Sequence, residues 1–147
     1  MNNKEEIFQK LYSLVRNAAK KDSVPIAAIV SNKKGEIIGI GQNKTNKNIV
    51  TSHAEIYAIN QACKKIKASK LQDCTIWITV EPCMMCLGAI INAGIKKINY
   101  YLENEKFGFV KSNHTFDLSK MTIHKINDNK EKNDLKNIMQ GFFLKLR

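Results

Sequence analysis

Apolar side chains at Ile7, Leu11, Leu14, Val15 and Ala18 recur every three or four positions, and polar residues fill the places between them. This period predicts an amphipathic helix from about Asn3 to Lys20. After Val24-Pro25 the pattern changes to two apolar runs, Ile26-Ala27-Ala28-Ile29-Val30 and Glu36-Ile37-Ile38-Gly39-Ile40, separated by Asn32-Lys33-Lys34-Gly35. That is the pattern of a β-hairpin, and the unbroken first run predicts a strand covered on both faces. A polar loop from Asn43 to Thr51 precedes a second helical stripe, Ile56, Ile59, Cys63 and Ile66, whose helix begins near Ser52.

The β-branched and aromatic run Thr75-Ile76-Trp77-Ile78-Thr79-Val80 predicts a strand, with Trp77 in the core. Pro82 then stands where a helix starts, Cys83 to Ala93 continue it, and Gly94 stops it. Ile98 to Leu102 predicts a further strand and Met121 to Ile126 a short one. Leu135, Ile138, Met139, Phe142, Phe143 and Leu146 mark a closing helix, while residues 104–119 carry no clear period. The order α-β-β-α-β-α-β-(β)-α predicts a layered α/β domain whose sheet lies between helices.

A chain of 147 residues without repeats or a linker-like stretch fits one domain, residues 1–147. No apolar run approaches the roughly 18 residues of a membrane span, and Met1-Asn2-Asn3-Lys4-Glu5-Glu6 lacks the apolar core of a signal peptide. A cytoplasmic protein without a membrane partner is expected. The 24 Lys+Arg against 13 Asp+Glu give a charge of +11. Residues 1–94 contribute 13 basic and 7 acidic side chains, and residues 95–147 contribute 11 and 6, so the charge is spread over the fold and is not a basic tail. A folded surface for an anionic partner fits this spread, although Lys- and Asn-rich composition alone also produces it.

The chemistry concentrates at two helix starts. His53-Ala54-Glu55 opens one helix and Pro82-Cys83-Met84-Met85-Cys86 opens another. Cys83 and Cys86, three apart, share a helix face, and a helix N-terminus favours the thiolates that zinc requires. With His53 they supply three ligands, leaving a fourth tetrahedral position for water, as in catalytic zinc sites. Glu55 points to a different azimuth of its helix and suits a proton shuttle beside the metal.

Plainer readings exist for each part. Ser52 to Glu55 also spells a capping box, and Cys83 with Cys86 also fits a redox dithiol or two buried small side chains. Met84 and Met85 fit packing roles, Cys63 and Cys74 fit buried thiols, and His114 and His124 fit solvated imidazoles. Together, however, His-x-Glu and a distant Pro-Cys-x-x-Cys form the signature of the zinc nucleobase deaminases.

On these motifs, together with Val24-Pro25-Ile26, Gly41-Gln42-Asn43, the run from Val80 to Ala89 and the closing Phe142-Phe143, the sequence resembles the cytidine deaminase-like superfamily. Within it, the chain is similar to the bacterial tRNA adenosine deaminases over nearly its whole length. The resemblance implies a three-layer α/β/α domain with a mixed central sheet. It also implies one Zn2+ per chain on His53, Cys83 and Cys86, with Glu55 as catalytic residue. Asn43, Ala54 and Ile26 are then expected to contact the base, and Asn104 and Lys106 the RNA. The implied reaction is adenosine to inosine at the wobble position of an arginine tRNA anticodon, in a homodimer that binds the anticodon stem-loop.

One departure stands out: Asn104-Glu105-Lys106-Phe107-Gly108 occupies the place where the family usually has Asp-x-Lys-x-Gly. The missing carboxylate is expected to relax discrimination for RNA hydroxyls, which an Asn104→Asp variant tests on matched RNA and DNA loops. The alternatives are a guanine, cytosine or deoxycytidylate deaminase, a non-catalytic RNA-binding partner subunit, and a thiol redox protein. Glu55 opposes the second, and bound metal opposes the third.

Overall fold

The computed structural model describes residues 3–44 and 48–146; residues 45–47 of the polar loop, the first two residues and the last lie outside it. The first helix, α1 (Asn3–Lys20), buries Ile7, Phe8, Leu11, Val15 and Ala18 on one face, as the 3.6-residue period requires. Strand β1 (Ala27–Ser31) is buried at every position and pairs antiparallel with β2 (Ile37–Gln42). Their turn is closed by the Asn32 side chain, whose Oδ1 accepts from Lys34 N at 3.0 Å and Glu36 N at 2.9 Å, and by Gly35 at φ 83°. The outer side of β2 is partly covered, because Ile40 N donates to Gln61 Oε1 at 2.8 Å.

Helix α2 (Ala54–Ile66) follows, then β3 (Thr75–Val80), α3 (Met84–Asn92), β4 (Lys97–Leu102), the short α4 (Phe109–Ser112), β5 (Thr122–Lys125) and α5 (Asn129–Lys145). The five strands lie in the order β2-β1-β3-β4-β5. β1 and β3 run antiparallel, whereas β3, β4 and β5 are mutually parallel, so the sheet is mixed. One face packs on α2 and α3 through a core that includes Val30, Ala58, Ile76, Leu87, Ile90 and Ile98. The other packs on α1 and α5 through Leu11, Val15, Ile29, Tyr101 and Leu135. This is the three-layer α/β/α arrangement with a mixed sheet that the sequence predicts.

The structure departs from the sequence pattern in α2. Its buried residues are Ala54, Glu55, Ala58, Ile59 and Ala62, while Ile66 is 42% exposed. The reason is the strand beneath. A Cβ on Gly39 would lie 2.2 Å from Ala58 O, and one on Gly41 would lie 2.2 Å from Ala54 O. The helix therefore rests backbone to backbone on β2, and only small side chains fit the contact. In α5, similarly, Leu135 and Phe142 are buried but Phe143 and Leu146 face outward.

Candidate active site

Helices α2 and α3 begin at the residues that carry the chemistry: His53 is the N-cap of one and Cys83 the N-cap of the other. Neither side chain caps its own helix, so both remain available. The Ser52–Glu55 capping box does not form. Instead Ala54 N donates to the Asn43 side-chain Oδ1 at 2.8 Å, and Asn43 N donates to Ile26 O at 3.1 Å. Asn43 thus satisfies an orphan amide of α2 from outside the helix and ties Ile26, at the entry to β1, to the start of α2. The same turn is braced by Lys44 N on Ser52 O at 3.1 Å and by the Tyr57 hydroxyl on Ser52 Oγ at 3.0 Å.

These restraints bring His53 Nδ1 to 3.7 Å from Cys83 Sγ and 3.5 Å from Cys86 Sγ. One donor atom from each of the three lies within 4.8 Å of the others, making a group able to hold a metal ion. Cys86 is fully buried in the first turn of α3, whereas His53 and Cys83 are half-buried, so solvent reaches the group from the side of those two. All four cysteines are free thiols.

The ionisation of the group follows from its crowding. A hydrogen bond from Cys86 draws the Cys83 thiol down to about 4 against the opposing effect of burial, with His53 contributing further. Cys86, as the donor to Cys83, is pushed up by that bond and by burial. The hydrogen bond to Cys83 raises the imidazole of His53 while burial lowers it. Glu55, 4% exposed, is pushed up to about 7 chiefly by burial. A carboxyl close to half-protonation at neutral pH beside a ligand group is equipped to accept and return a proton.

Ala54 is buried, and Ile26 is partly buried between the two cores. Asn104 and Lys106 lie in the loop after β4; Lys106 is exposed, and Asn104 Oδ1 accepts from Phe107 N at 3.1 Å, an exposed bond within the same turn. Met84 packs against the core, but Met85 is 36% exposed, so only one of the two methionines fills a packing role. His114 and His124 are exposed, as expected. A groove of about 550 Å³ between α1, β2 and α2, with Lys21, Lys44 and Lys64 in its lining, includes none of the three ligand residues.

Sequence reasoning assigned no role to Glu81. It is 5% exposed, directly precedes Pro82-Cys83, and accepts hydrogen bonds from the loop after β4. The available signal was a charged residue ending an apolar strand, a position that normally lies inside.

The family model of the MafB19-like deaminases matches residues 2–147. The chain belongs to this deaminase family. The tRNA-specific adenosine deaminase of Rickettsia bellii is 37% identical over 134 residues, which cover 88% of this chain and 92% of that one. A solved structure from a study of A-to-I editing by tRNA:A34 deaminases superposes with a TM-score of 0.74 at 30% identity, covering 84% of this chain and 99% of its own. The guanine deaminase of Bacillus subtilis gives a TM-score of 0.65 at 30% identity, covering 93% of each chain. The resemblance to the tRNA adenosine deaminases of the cytidine deaminase-like superfamily is therefore upheld, and the five-stranded mixed sheet of this deaminase is the fold shared with them. Among the described residues, no helix is long and apolar enough to cross a membrane.

Proposed function

We propose that this deaminase converts adenosine to inosine at the wobble position of a tRNA anticodon, an arginine tRNA by the resemblance, as a cytoplasmic, zinc-dependent homodimer. The observation that carries the reading is the near end-to-end likeness to a tRNA-specific adenosine deaminase at 37% identity. The guanine deaminase at 30% identity supports small-base deamination as a second reading.

The donor set fits zinc. Tetrahedral zinc with Zn–S of about 2.3 Å and Zn–N of about 2.0 Å separates sulfur from nitrogen by about 3.5 Å. His53 Nδ1 lies 3.7 and 3.5 Å from the two sulfurs. His53, Cys83 and Cys86 would hold the ion, one per chain. Bound there, zinc supplies the Lewis acidity that brings the ionisation of water towards neutral pH.

The remaining work falls to this chain's own side chains. In the reaction, water adds at C6 of the purine, ammonia leaves, and a C–O bond replaces a C–N bond. Glu55 takes a proton from the adding water and delivers it to N1, then takes the second from the new C6 hydroxyl and passes it to the departing amino group. Burial pushes its pKa up to about 7, which suits a group that both accepts and returns a proton near neutral pH. Asn43, held by Ala54 N and Ile26 O, has a fixed orientation for addressing the base, with Ala54 and Ile26 forming the adjacent surface. In this reading Lys106 and Asn104 contact the RNA. An anticodon loop suits such a site, because an unpaired base is extruded at low cost.

The test is to incubate zinc-loaded protein with an arginine tRNA transcript bearing wobble adenosine, alongside free guanine, adenine, cytidine and deoxycytidylate. Products are then read by mass spectrometry. Inosine in the tRNA alone is expected; turnover of guanine alone moves the protein to the second reading. Glu55→Ala is expected to keep about one zinc per chain while losing on the order of 10²-fold or more in turnover. Loss of zinc in that variant refutes the shuttle role.

A further inference from the structure

We infer that Glu81 is a positioning residue whose carboxylate latches both ends of the loop after β4 onto the Cys83 turn. In this way it fixes the wall of the site that the substrate meets. The kinetic part of this inference rests on the tRNA reading; the structural part does not.

Oε1 of Glu81 accepts from Asn104 N at 3.3 Å, and Oε2 accepts from Val110 N at 2.9 Å. The two donors are six positions apart, so one carboxylate spans the whole turn between them. Gly108 lies against the same group: a Cβ there would be 2.2 Å from Glu81 Oε2 and 2.4 Å from Asn104 O. Two further ties fasten the loop to the metal-binding turn, a β-bridge between Cys83 and Gly108 and the bond from Phe109 N to Pro82 O at 3.1 Å. Phe109 plugs the loop into the core, 2% exposed and edge-on to Tyr100. Phe107 and Val110, 67% and 60% exposed, are turned outward beside the site with Lys106.

The residue type follows from this geometry. A buried carboxylate is costly, and among the described residues no cation forms an ion pair with Glu81. The two backbone amides address different oxygens, so a glutamine in the same place would avoid the charge but set its NH2 donor against one of them. Only a carboxylate offers both amides an acceptor. The latch therefore serves to hold the loop, since an uncharged side chain would avoid the desolvation that Glu81 incurs.

The tests are Glu81→Gln, Glu81→Asp and Gly108→Ala in the full-length, zinc-loaded protein. Three quantities are followed: zinc content, amide hydrogen exchange resolved by residue, and steady-state kinetics on the tRNA transcript. For Glu81→Gln the expectation is about one zinc per chain, exchange at the Asn104 to Val110 amides about tenfold faster, and unchanged exchange in the β3 core. KM is expected to rise about tenfold with kcat held within about threefold, because the loop meets substrate but does not touch the reacting atoms. Gly108→Ala is expected to reproduce this pattern. Glu81→Asp keeps both acceptors and is expected to recover part of the loss. Unchanged exchange and KM in Glu81→Gln overturn the inference, as does a loss of zinc or a uniform rise in exchange, which marks a ligand or a general packing role. If the wild type deaminates only guanine, the tRNA reading falls, and the exchange data together with KM for guanine still decide the role of Glu81.

Discussion

The two faces of the sheet are built by different means. Under α1 and α5 the contact is made by large side chains, Ile7, Phe8, Leu11 and Leu135 among them, with Phe8 tilted on Tyr101 at 5.6 Å between ring centroids. Under α2 the contact is made by Gly39 and Gly41 of the strand against the backbone of the helix, with Ala54, Ala58 and Ala62 filling what space remains. Large side chains change rotamer and absorb small errors, whereas backbone resting on backbone has no such slack. The face that carries His53 and Glu55 is the one without slack. Burial on the face of α2 comes from α3 and the strands, through Ile76, Leu87, Ile90 and Ile98 among others, while the α2 contact itself supplies positional accuracy.

Gly41→Val breaks this division most severely. Its Cβ would meet Ala54 O at 2.2 Å and Ala58 N at 2.7 Å, so α2 must lift together with His53 at its head. A loss of about 3 kcal/mol or more in thermal or denaturant unfolding is expected, along with loss of zinc from whatever remains folded. A variant that keeps both its stability and its metal would show that the close approach is incidental. On the opposite face, Leu11→Ala empties a fully buried position and is expected to cost about 2–5 kcal/mol. Zinc per folded chain should nevertheless be unchanged, and a drop measured by chelator competition would erase the contrast. Asn43→Ala is the gentlest of the three. It leaves Ala54 N without its acceptor, at about 1–3 kcal/mol, and zinc affinity should fall by more than the modest shift in melting temperature suggests.

The same contrast explains how far the sequence could be read. Both helix starts were legible because their signals are local, Pro82 before Cys83 and the polar-to-apolar change at His53. Their convergence was legible only as a consequence of chemistry, since His53 and Cys83 stand 30 positions apart. The stripe of α2 correctly marked a helix, with Ile59 buried and Cys63 against the core, but periodicity weighs large residues and so missed that the contact with β2 uses alanine and glycine and leaves Ile66 exposed. Ser52 looked like a cap, but Asn43, eleven positions before Ala54, performs that task. Residues 104–119 showed no period because the first part of that segment is ordered from outside, by a carboxylate 23 and 29 positions from the amides it binds. Phe143 and Leu146 were read into the stripe of α5, yet both are exposed, Phe143 lying edge-on to the buried Phe142.

The bond from Ile40 N to the Gln61 side chain also sets an order of events during synthesis. β2 leaves the ribosome before the residue that stoppers it, and the two are 21 positions apart. At about 5–20 residues per second, that interval lasts roughly one to four seconds. For that time the nascent hairpin presents an open hydrogen-bonding edge to any neighbouring strand. Slower translation across residues 42–61 would lengthen the time for which the outer edge of β2 stands open, while the opposite edge, β1, waits longer still, until Thr75–Val80 emerge to pair with it.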